Sequence, residues 1–239
     1  AKLKQLEHEL GHDLFIRSKK GMALTEKGFE LKPLAQKLLA CEREIEITME
    51  SDTVASGKLN LGLLDSFIRI FMGKVIPNYV RKYPEVDLHI QTGINKGLFE
   101  SLENGEADMI AVVGKKNYAG YDTLFSRKVD LVLISKEEIK TNMPLLILGL
   151  DCFFGKTTNE YFNSRNKVLK IGSVESILTS VMAGIGVTIL PRELVKDKKY
   201  KSLFLEKVKS SCYYTLVKKK NTCLNKAQEQ FVELIKESS

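Results

Sequence analysis

Between residues 58 and 191, short apolar runs of strand length alternate with segments of helical spacing. Leu59, Leu61 and Leu63 alternate as in a strand, and "VDLHIQ" and "DMIAVV" follow, each after a helical stretch. This β-α-β-α-β order needs crossover connections and predicts a parallel sheet covered by helices. The pattern starts again at "PLLIL" and ends at "VTILP". We therefore predict an α/β fold with two Rossmann-like lobes.

Two more strands are expected at the passages between these lobes, at "VDLVLIS" (129–135) and within "SCYYTLVKKK" (211–219). We interpret both as crossover strands and expect the last helix (224–237) to return to the first lobe. The predicted lobe I comprises residues 58–130 and 214–239, and lobe II comprises residues 131–213. Ligands of such sheets bind beyond the carboxyl ends of the strands, here in the cleft between the lobes.

The first 24 residues follow another pattern. Leu3, Leu6 and Leu10 share one helical face and Gly11 follows as the expected C′ residue. The chain thus starts inside a helix, and we expect further residues before it. Two apolar stretches then flank "RSKKG", which predicts a β-hairpin with a basic tip.

A long helix is predicted over residues 25–50, with Thr25 as its cap and a mild kink at Pro33. Its seam repeats at intervals of three and four residues, as in a coiled coil, at Leu31, Leu34, Leu38, Cys41, Ile45 and Thr48. The helix either packs on its own domain or pairs with a second chain. Pairing is favoured because the seam is narrow and no second long helix lies nearby in sequence. Residues 51–57 are expected to form a hinge linker.

Composition excludes several classes of protein. Of the 239 residues, 44% are hydrophobic and 28% are charged, as in ordinary globular chains. The longest apolar run, "MPLLILGL", is much shorter than the roughly 20 residues that span a bilayer. With no signal-peptide pattern at the start, we expect a cytoplasmic protein. The four cysteines lack C-x-x-C spacing, and we expect reduced, mostly structural thiols.

The net charge of +7 is unevenly distributed. Residues 1–51 contain nine Lys/Arg and nine Asp/Glu, whereas residues 192–239 contain twelve and six, a surplus of 12 − 6 = 6. Net charge alone therefore does not predict nucleic-acid binding by the N-terminal segment.

The string "HELGH" (8–12) matches the H-E-x-x-H pattern of zinc proteases. A metzincin would continue with Gly and His where this chain has Phe15 and Ser18. Gly11 also favours the end of the helix between the two histidines. We therefore predict no metal site, and expect His8 and His12 to be solvated or packing residues.

The combination of several motifs resembles the LysR-type transcriptional regulators over essentially the whole chain. The stretch "QLEHELGHDLFIRSKKGMALTEKG" is similar to that family's passage from recognition helix through wing to linker helix, at Leu6, Glu7, Leu10, Gly11, Leu14, Phe15, Arg17, Leu24, Thr25 and Gly28. "VMAGIGVTILP" (181–191) and "VIPNYVRKYPEVDLHI" (75–90) resemble motifs of its second and first lobes.

The resemblance implies a DNA-binding transcriptional regulator controlled by a small-molecule effector, with two lobes like those of periplasmic binding proteins. In the chain, the lobes would follow the remnant of a winged helix-turn-helix and a linker helix. The linker helix would pair with that of another chain in a homodimer or homotetramer. Binding of double-stranded operator DNA would need the family's preceding helices. The retained candidates for DNA contact are Lys2, Lys4, Arg17, Ser18, Lys19 and Lys20.

The family's effector pocket is lined by the loops after the first two lobe strands and by helix N-termini of the second lobe. These positions correspond to Asp65, Ser66, Phe67, Thr92, Gly93, Ile94, Ser173, Val174 and Glu175. Hydroxyls and free N–H groups favour an organic acid or an inorganic anion, whereas the carboxylates of Asp65 and Glu175 leave an amino acid open. Ser66 and Ser173 also suffice as N-caps without a ligand.

Cys152 lies near the position of the reactive cysteine in peroxide-sensing members of the family. Those members carry a resolving cysteine about nine residues later, where this chain has Tyr161. Redox sensing is therefore the less favoured role for Cys152, although the sequence does not decide whether the thiol is redox-active.

Two other classes remain as alternatives. A stand-alone small-solute-binding protein of the periplasmic type would share the lobes but should carry an export signal and no heptad helix. An enzyme would need a catalytic constellation, and the sequence has no G-x-S-x-G motif, no phosphate-binding loop and no evident partner for His89. We predict neither catalysis nor a cofactor.

Overall fold

The computed structural model describes residues 2–18, 21–49, 55–139, 142–163 and 166–238. The chain forms two compact units, residues 1–51 and residues 52–239. None of the helices in the described ranges has the length and apolar character that a bilayer crossing requires.

The first unit contains two helices and a hairpin. Its elements are α1 (Lys2–Leu10), β1 (Phe15–Ser18), β2 (Gly21–Leu24) and α2 (Glu26–Met49). The hairpin is antiparallel, with Phe15 opposite Leu24, as predicted. Its basic tip at Lys19 and Lys20 lies outside the described residues. Gly11 follows α1 with a φ of +69°, so its predicted C′ role is confirmed.

Thr25 links the hairpin to α2. Its hydroxyl accepts a hydrogen bond from the Gly28 N–H at 3.0 Å and donates one to the Asp13 carbonyl at 2.8 Å. The predicted N-cap is therefore confirmed. Gly28 is required for a separate reason, because a Cβ at this position would lie 2.2 Å from the carbonyl oxygen of Leu14. The motif L-T-x-x-G thus fixes how the helix leaves the hairpin.

The second unit contains eight further strands and six further helices within the described residues. They are β3 (Gly57–Leu64), α3 (Asp65–Gly73), α4 (Val75–Lys82), β4 (Val86–Gly93), α5 (Asn95–Glu103), β5 (Met109–Gly114), β6 (Tyr121–Ser135), β7 (Leu145–Ile147), α6 (Phe153–Tyr161), β8 (Val168–Lys170), α7 (Val174–Met182), β9 (Thr188–Pro191), β10 (Phe204–Lys219) and α8 (Lys226–Glu237). Two 3₁₀ turns, Arg192–Val195 and Lys198–Tyr200, follow β9.

The strands form a six-stranded sheet in the order β4-β3-β5-β10-β6-β9 and a β7-β8 pair. β3 runs parallel to β4 and β5, as the β-α-β-α-β pattern predicted. β10 is antiparallel to β5 and β6, and β9 is antiparallel to β6. An isolated parallel bridge between Leu145 and Val187 connects the β7-β8 pair to the segment before β9. Together these strands form the predicted two-lobed α/β fold.

The crossover strands are longer than the sequence indicated. β6 begins at Tyr121 rather than at residue 129, and β10 begins at Phe204 rather than at residue 211. The added parts of both strands are mostly half-buried or exposed, whereas residues 131–135 and 214–218 are buried. The apolar runs of the sequence therefore coincide with only the buried half of each strand. The predicted linker 51–57 also needs correction, because β3 already begins at Gly57, and residues 51–54 lie outside the described ranges.

The helical stretch predicted between the first two strands of lobe I forms two helices. α3 ends at Gly73, and Lys74 has a φ of −128° and a ψ of −54°, outside helical geometry. Ser66 is not the cap, because α3 starts one residue earlier and Leu64 occupies the N-cap position without a side-chain hydrogen bond. Breaking the helix turns α4 toward α8, where the Tyr79 hydroxyl donates to the Ala227 carbonyl at 2.7 Å.

Candidate effector site between the lobes

The loops after β3 and β4 lie side by side at one edge of the sheet. Leu63 is opposite Thr92 and Leu64 is opposite Gly93, so α3 and α5 begin next to each other. Parallel strands place their carboxyl ends at the same edge, which explains why residues about thirty positions apart in sequence meet here. Thr92 and Ile94 are exposed, and Gly93 is half-buried.

The three predicted effector positions on α3 differ in exposure. Asp65 is exposed, whereas Ser66 and Phe67 are buried at 4% and 0% relative exposure. The Phe67 ring lies against the Tyr214 ring of β10, with 3.5 Å between the ring centroids and a 56° tilt. Phe67 is therefore part of the packing between α3 and a crossover strand, and any ligand contact at this end of α3 falls first to Asp65.

The positions at the start of α7 form a helix cap and an ion-pair group. The Ser173 hydroxyl accepts a hydrogen bond from the Ser176 N–H at 3.1 Å, so its predicted N-cap role is confirmed. Val174 is buried and belongs to the core. The Glu175 carboxylate accepts a hydrogen bond from the Lys199 ammonium at 2.8 Å and lies 3.6 Å from the Arg69 guanidinium.

Arg69 of α3 reaches lobe II and connects several groups there. Its guanidinium donates to the Leu194 carbonyl at 3.1 Å, to the Tyr200 hydroxyl at 3.2 Å and to the Asp197 carboxylate at 2.5 Å. A planar guanidinium with five N–H donors suits such a multiple contact. We call Arg69, Glu175, Asp197, Lys199 and Tyr200 the interlobe cluster.

Electrostatics in this cluster favour the charged carboxylate of Glu175. The hydrogen bond from Lys199 and the charges of Lys199 and Arg69 lower the pKa of Glu175 below its ordinary value of 4.5, against the opposing effect of partial burial. The contribution of Glu175 to stability is therefore present above that ordinary value and is lost as the pH falls through the lowered pKa. Because Glu175 is 58% exposed, this contribution is screened by solvent.

Sequence reasoning did not find two residues that organise this region. Arg69 lies inside a helix, and its partners follow 106 to 131 positions later in the chain. Asn95 begins α5, and its side chain bonds both the N–H and the carbonyl of Val113, at 3.2 and 2.7 Å. It thereby fixes the end of β5 beside the loop after β4. Neither residue forms part of a short motif, so no local signal marked them.

The candidates for DNA contact lie in the first unit. Lys2 and Lys4 are exposed on α1. Arg17 and Ser18 end β1, and Lys19 and Lys20 lie outside the described residues.

The "HELGH" string is divided by the end of α1. His8 lies in the last turn of the helix, whereas His12 follows Gly11 outside it. Glu7 has a structural role, since its carboxylate accepts hydrogen bonds from the N–H groups of Leu14 and Phe15 at 2.9 and 3.1 Å. In H-E-x-x-H proteases, the glutamate that follows the first histidine is the base for the zinc-bound water. That residue is Glu9 here, and its carboxylate accepts a hydrogen bond from the Gln5 amide at 3.1 Å.

The thiol of Cys152 is buried at the N-cap of α6. Tyr161, at the position of the resolving cysteine in peroxide-sensing relatives, is the last residue of α6 and is 42% exposed. Cys212 is buried in β10, where burial and the nearby Glu193 raise its pKa to about 12. A thiol with so high a pKa is protonated at neutral pH and unreactive toward peroxide.

We predict that Arg69→Met lowers the free energy of unfolding by about 1–3 kcal/mol, because it leaves the Leu194 carbonyl and the Asp197 carboxylate without their guanidinium donor. Urea denaturation measures this change. Arg81→Met is the matched control, since Arg81 is exposed and its hydrogen bonds to the described residues go to Pro77 and Asn78 of its own helix. The control should stay within about 0.5 kcal/mol of the wild type. Equal effects of both substitutions would contradict a stabilising role of the interlobe cluster.

Comparison with known proteins places these features in a family. A family model described as the LysR substrate binding domain matches residues 53–239. The transcriptional regulator CzcR of Bacillus subtilis (strain 168) is 30% identical over 206 residues, which cover 82% of this chain and 70% of the relative. The transcriptional regulator SoxR of Arthrobacter sp. (strain TE1826) is 28% identical over 250 residues, covering 98% of this chain and 85% of the relative.

Solved structures share the fold. A full-length OxyR variant from Pseudomonas aeruginosa superposes with a TM-score of 0.73 at 19% identity, covering 99% of this chain and 82% of that one. Full-length CbnR in complex with its target DNA gives a TM-score of 0.64 at 15% identity, covering 100% of this chain and 88% of that one. The family model and the identity to CzcR support the transcriptional regulator and not the alternative of a stand-alone periplasmic solute-binding protein. The chain belongs to the LysR family of effector-controlled, DNA-binding transcriptional regulators.

Proposed function

We propose that the cleft beside the interlobe cluster binds the effector of this regulator, and that the effector is an organic acid, an amino acid or an inorganic anion. The observation that supports this most is the 3.6 Å approach of Arg69 to Glu175, which brings α3 of lobe I to the N-terminus of α7 in lobe II. A ligand at this point contacts both lobes at once. Binding of the ligand can therefore shift the populations of the open and closed arrangements of the two lobes.

The charges around the cleft favour a ligand that carries both signs. Arg69 and Lys199 supply positive charge, while Asp65, Glu175 and Asp197 supply negative charge. The N-terminus of α7 adds N–H groups and the positive end of the helix dipole, which attract a carboxylate. Within the proposed class, an amino acid satisfies both the cations and the carboxylates, and is our first choice.

A matched pair of cap substitutions separates ligand binding from helix capping. Ser173 caps α7, and Asn225 caps α8 through a capping box with Gln228. We predict that Ser173→Ala and Asn225→Ala each lower the free energy of unfolding by about 1 kcal/mol. Only Ser173→Ala should also weaken effector binding, by about tenfold for one lost hydrogen bond to a charged group. Calorimetric titration with an amino-acid and organic-acid panel measures the affinity.

Unchanged affinity in Ser173→Ala would reduce Ser173 to a structural cap and contradict the proposed position of the ligand. Equal loss of affinity in both variants would attribute the effect to general destabilisation. In either case the chain would remain a member of the LysR family, because its membership follows from sequence similarity and not from this site.

The first unit is proposed to contact operator DNA through α1 and the hairpin. The structure of CbnR with its target DNA shows that a protein of the same fold engages DNA. Lysine and arginine side chains at a hairpin tip neutralise phosphates and release counterions, so affinity should fall with salt. We predict no catalytic activity for the chain, in keeping with relatives that are named transcriptional regulators.

We predict that Arg17→Ala, introduced into the full-length protein, weakens operator binding and reduces the slope of log affinity against log salt by about one. Lys27→Ala removes the same charge from α2, where Lys27 pairs with Glu30 at 2.7 Å, and should leave the slope unchanged. Fluorescence anisotropy at several salt concentrations measures both. An unaltered slope in Arg17→Ala would remove this residue from the DNA interface.

The long helix α2 is proposed to pair with the same helix of a second chain, giving a dimer or tetramer. Leu34, Leu38 and Ile45 of its predicted seam are 59%, 69% and 66% exposed in the single chain, and Leu31 is half-buried. The side chains of Cys41 and Thr48 lie outside the described part of the helix. Exposed leucine and isoleucine at a/d spacing are the residues that a coiled-coil partner covers.

We predict that Leu38→Glu converts the oligomer to a monomer, because it introduces a charge into the apolar seam. Lys32→Glu, at an exposed position of the same helix away from the seam, should leave the oligomer intact. Sedimentation equilibrium or native mass spectrometry gives the mass of each species. A monomeric wild-type protein, or an oligomer that survives Leu38→Glu, would contradict pairing through α2.

A further inference from the structure

A cavity of about 370 Å³ lies at the other end of α3 from the proposed effector positions. Its wall comes from the C-terminal end of α3, the start of α4, both crossover strands, the 3₁₀ turn after β9 and the end of α8. None of the predicted effector residues lines it. The volume falls within the roughly 300–1,000 Å³ typical of small-molecule sites.

Two polar atoms in this wall are buried without a hydrogen-bond partner among the described residues. They are the Tyr214 hydroxyl, on a side chain that is 2% exposed, and the Oε2 atom of Glu193. Buried polar atoms are almost always paired, because desolvation without a partner destabilises the fold. Burial raises the pKa of Tyr214 well above its ordinary value, and its hydroxyl is therefore a permanent donor. An unpartnered donor and an unpartnered acceptor in one cavity wall indicate a missing ligand.

The remaining lining combines cations with an apolar surface. The Arg127 guanidinium lies 4.0 Å from the Glu193 carboxylate, beyond hydrogen-bonding distance, and Lys74 and Lys196 are exposed. Phe125 and Ile235 supply apolar surface. The positive charges favour an anion, and the apolar side chains favour a hydrocarbon body.

We propose that this cavity is a second ligand site, which takes a small α-amino or α-hydroxy acid with an apolar side chain. The ligand carboxylate binds the Arg127 guanidinium and accepts the hydrogen bond of the Tyr214 hydroxyl. The amine or hydroxyl on the neighbouring carbon donates to Glu193 Oε2, and the apolar side chain packs on Phe125 and Ile235. Each unpartnered atom of the wall receives a partner in this arrangement.

The position of the cavity gives its ligand an effect on the lobes. α3, α4 and α8 belong to lobe I, whereas Glu193 and Lys196 follow β9 of lobe II. A ligand held by residues of both lobes binds the open and the closed arrangement of the lobes with different affinities. It therefore shifts the equilibrium between these two arrangements.

Three related acids test the proposal by isothermal titration calorimetry: L-leucine, 2-hydroxy-4-methylpentanoate and 4-methylpentanoate. The first two carry the donor for Glu193 and the third does not. We expect the amino or the hydroxy acid to bind at least tenfold more tightly than 4-methylpentanoate. Tyr214→Phe should weaken that binding by about tenfold, as expected for a lost hydrogen bond to a charged group.

Tyr213→Phe is the matched control, because Tyr213 is the neighbouring residue of β10 and its side chain points to the opposite face of the sheet. The Tyr213→Phe variant should bind the acids with full affinity. Ser173→Ala should do so as well, because Ser173 lies in the interlobe cleft and not in this cavity. Without ligand, Tyr214→Phe should unfold at the same temperature as the wild type or a higher one, since it removes an unpartnered buried hydroxyl.

Three results would overturn the proposal. One is the absence of binding by all three acids, and another is equal binding of 4-methylpentanoate. The third is a loss of affinity in Ser173→Ala with none in Tyr214→Phe, which would place the acids in the interlobe cleft and leave the proposed effector site intact.

Discussion

The antiparallel pairing of β6 with β10 is the interaction on which the rest of the second unit depends. The two strands pair from Phe204 opposite Ser135 to Lys219 opposite Tyr121, and so run through both lobes as one ladder. β5 attaches to β10 and β9 attaches to β6, so each lobe is built onto this pair. The register shifts between Lys207 and Ser211, where an irregularity of this kind bends and twists a strand. A second register shift lies between Leu216 and Val217. Such irregularities, together with the side chains that cross between the lobes, are the places where a change in lobe angle is most easily absorbed.

Arg69 is the side chain best placed to control that change. Its guanidinium is 29% exposed, and its carboxylate partners Glu175 and Asp197 are 58% and 62% exposed. Such an arrangement holds the lobes together less strongly than a buried ion pair would, since solvent screens it. A connection worth only a few kcal/mol is of the size that the differential affinity of a small ligand can overcome, at about 1.4 kcal/mol for each factor of ten. The cluster is thus strong enough to define a resting arrangement and weak enough to be shifted.

The sequence predicted those parts of the structure whose signal is local. The parallel β3-β4-β5 unit follows from alternating leucines, and the caps at Thr25 and Ser173 follow from hydroxyls before helical segments. Local signals failed where the decisive contact is distant. Ser66 has the residue type of a helix cap, but α3 begins at Asp65. The break at Lys74 precedes α4, whose Tyr79 bonds Ala227 of α8, a contact between residues far apart in sequence. The first residues of β6 and β10 are mostly half-buried or exposed and carry no long apolar run. They are strands because the beginning of β6 pairs with the end of β10, and the beginning of β10 pairs with the end of β6. No sequence signal marks the hydroxyl of Tyr214, which has no hydrogen-bond partner among the described residues, because tyrosine is a common residue of buried strands.

The two ends of α3 connect the proposed effector cleft to the second cavity. Asp65 begins the helix at the cleft, Arg69 belongs to both the interlobe cluster and the cavity wall, and Gly73 ends the helix at the cavity. A ligand at either end that draws Arg69 away from Asp197 or Glu175 changes the ion pairs that connect the lobes. A ligand at the other end then binds to a protein in which these ion pairs are already changed. Thermodynamic linkage then requires each ligand to change the affinity of the other by the same factor. If both proposed ligands change the contacts of Arg69, ligands that favour the same contact of its guanidinium assist each other, and ligands that compete for it exclude each other.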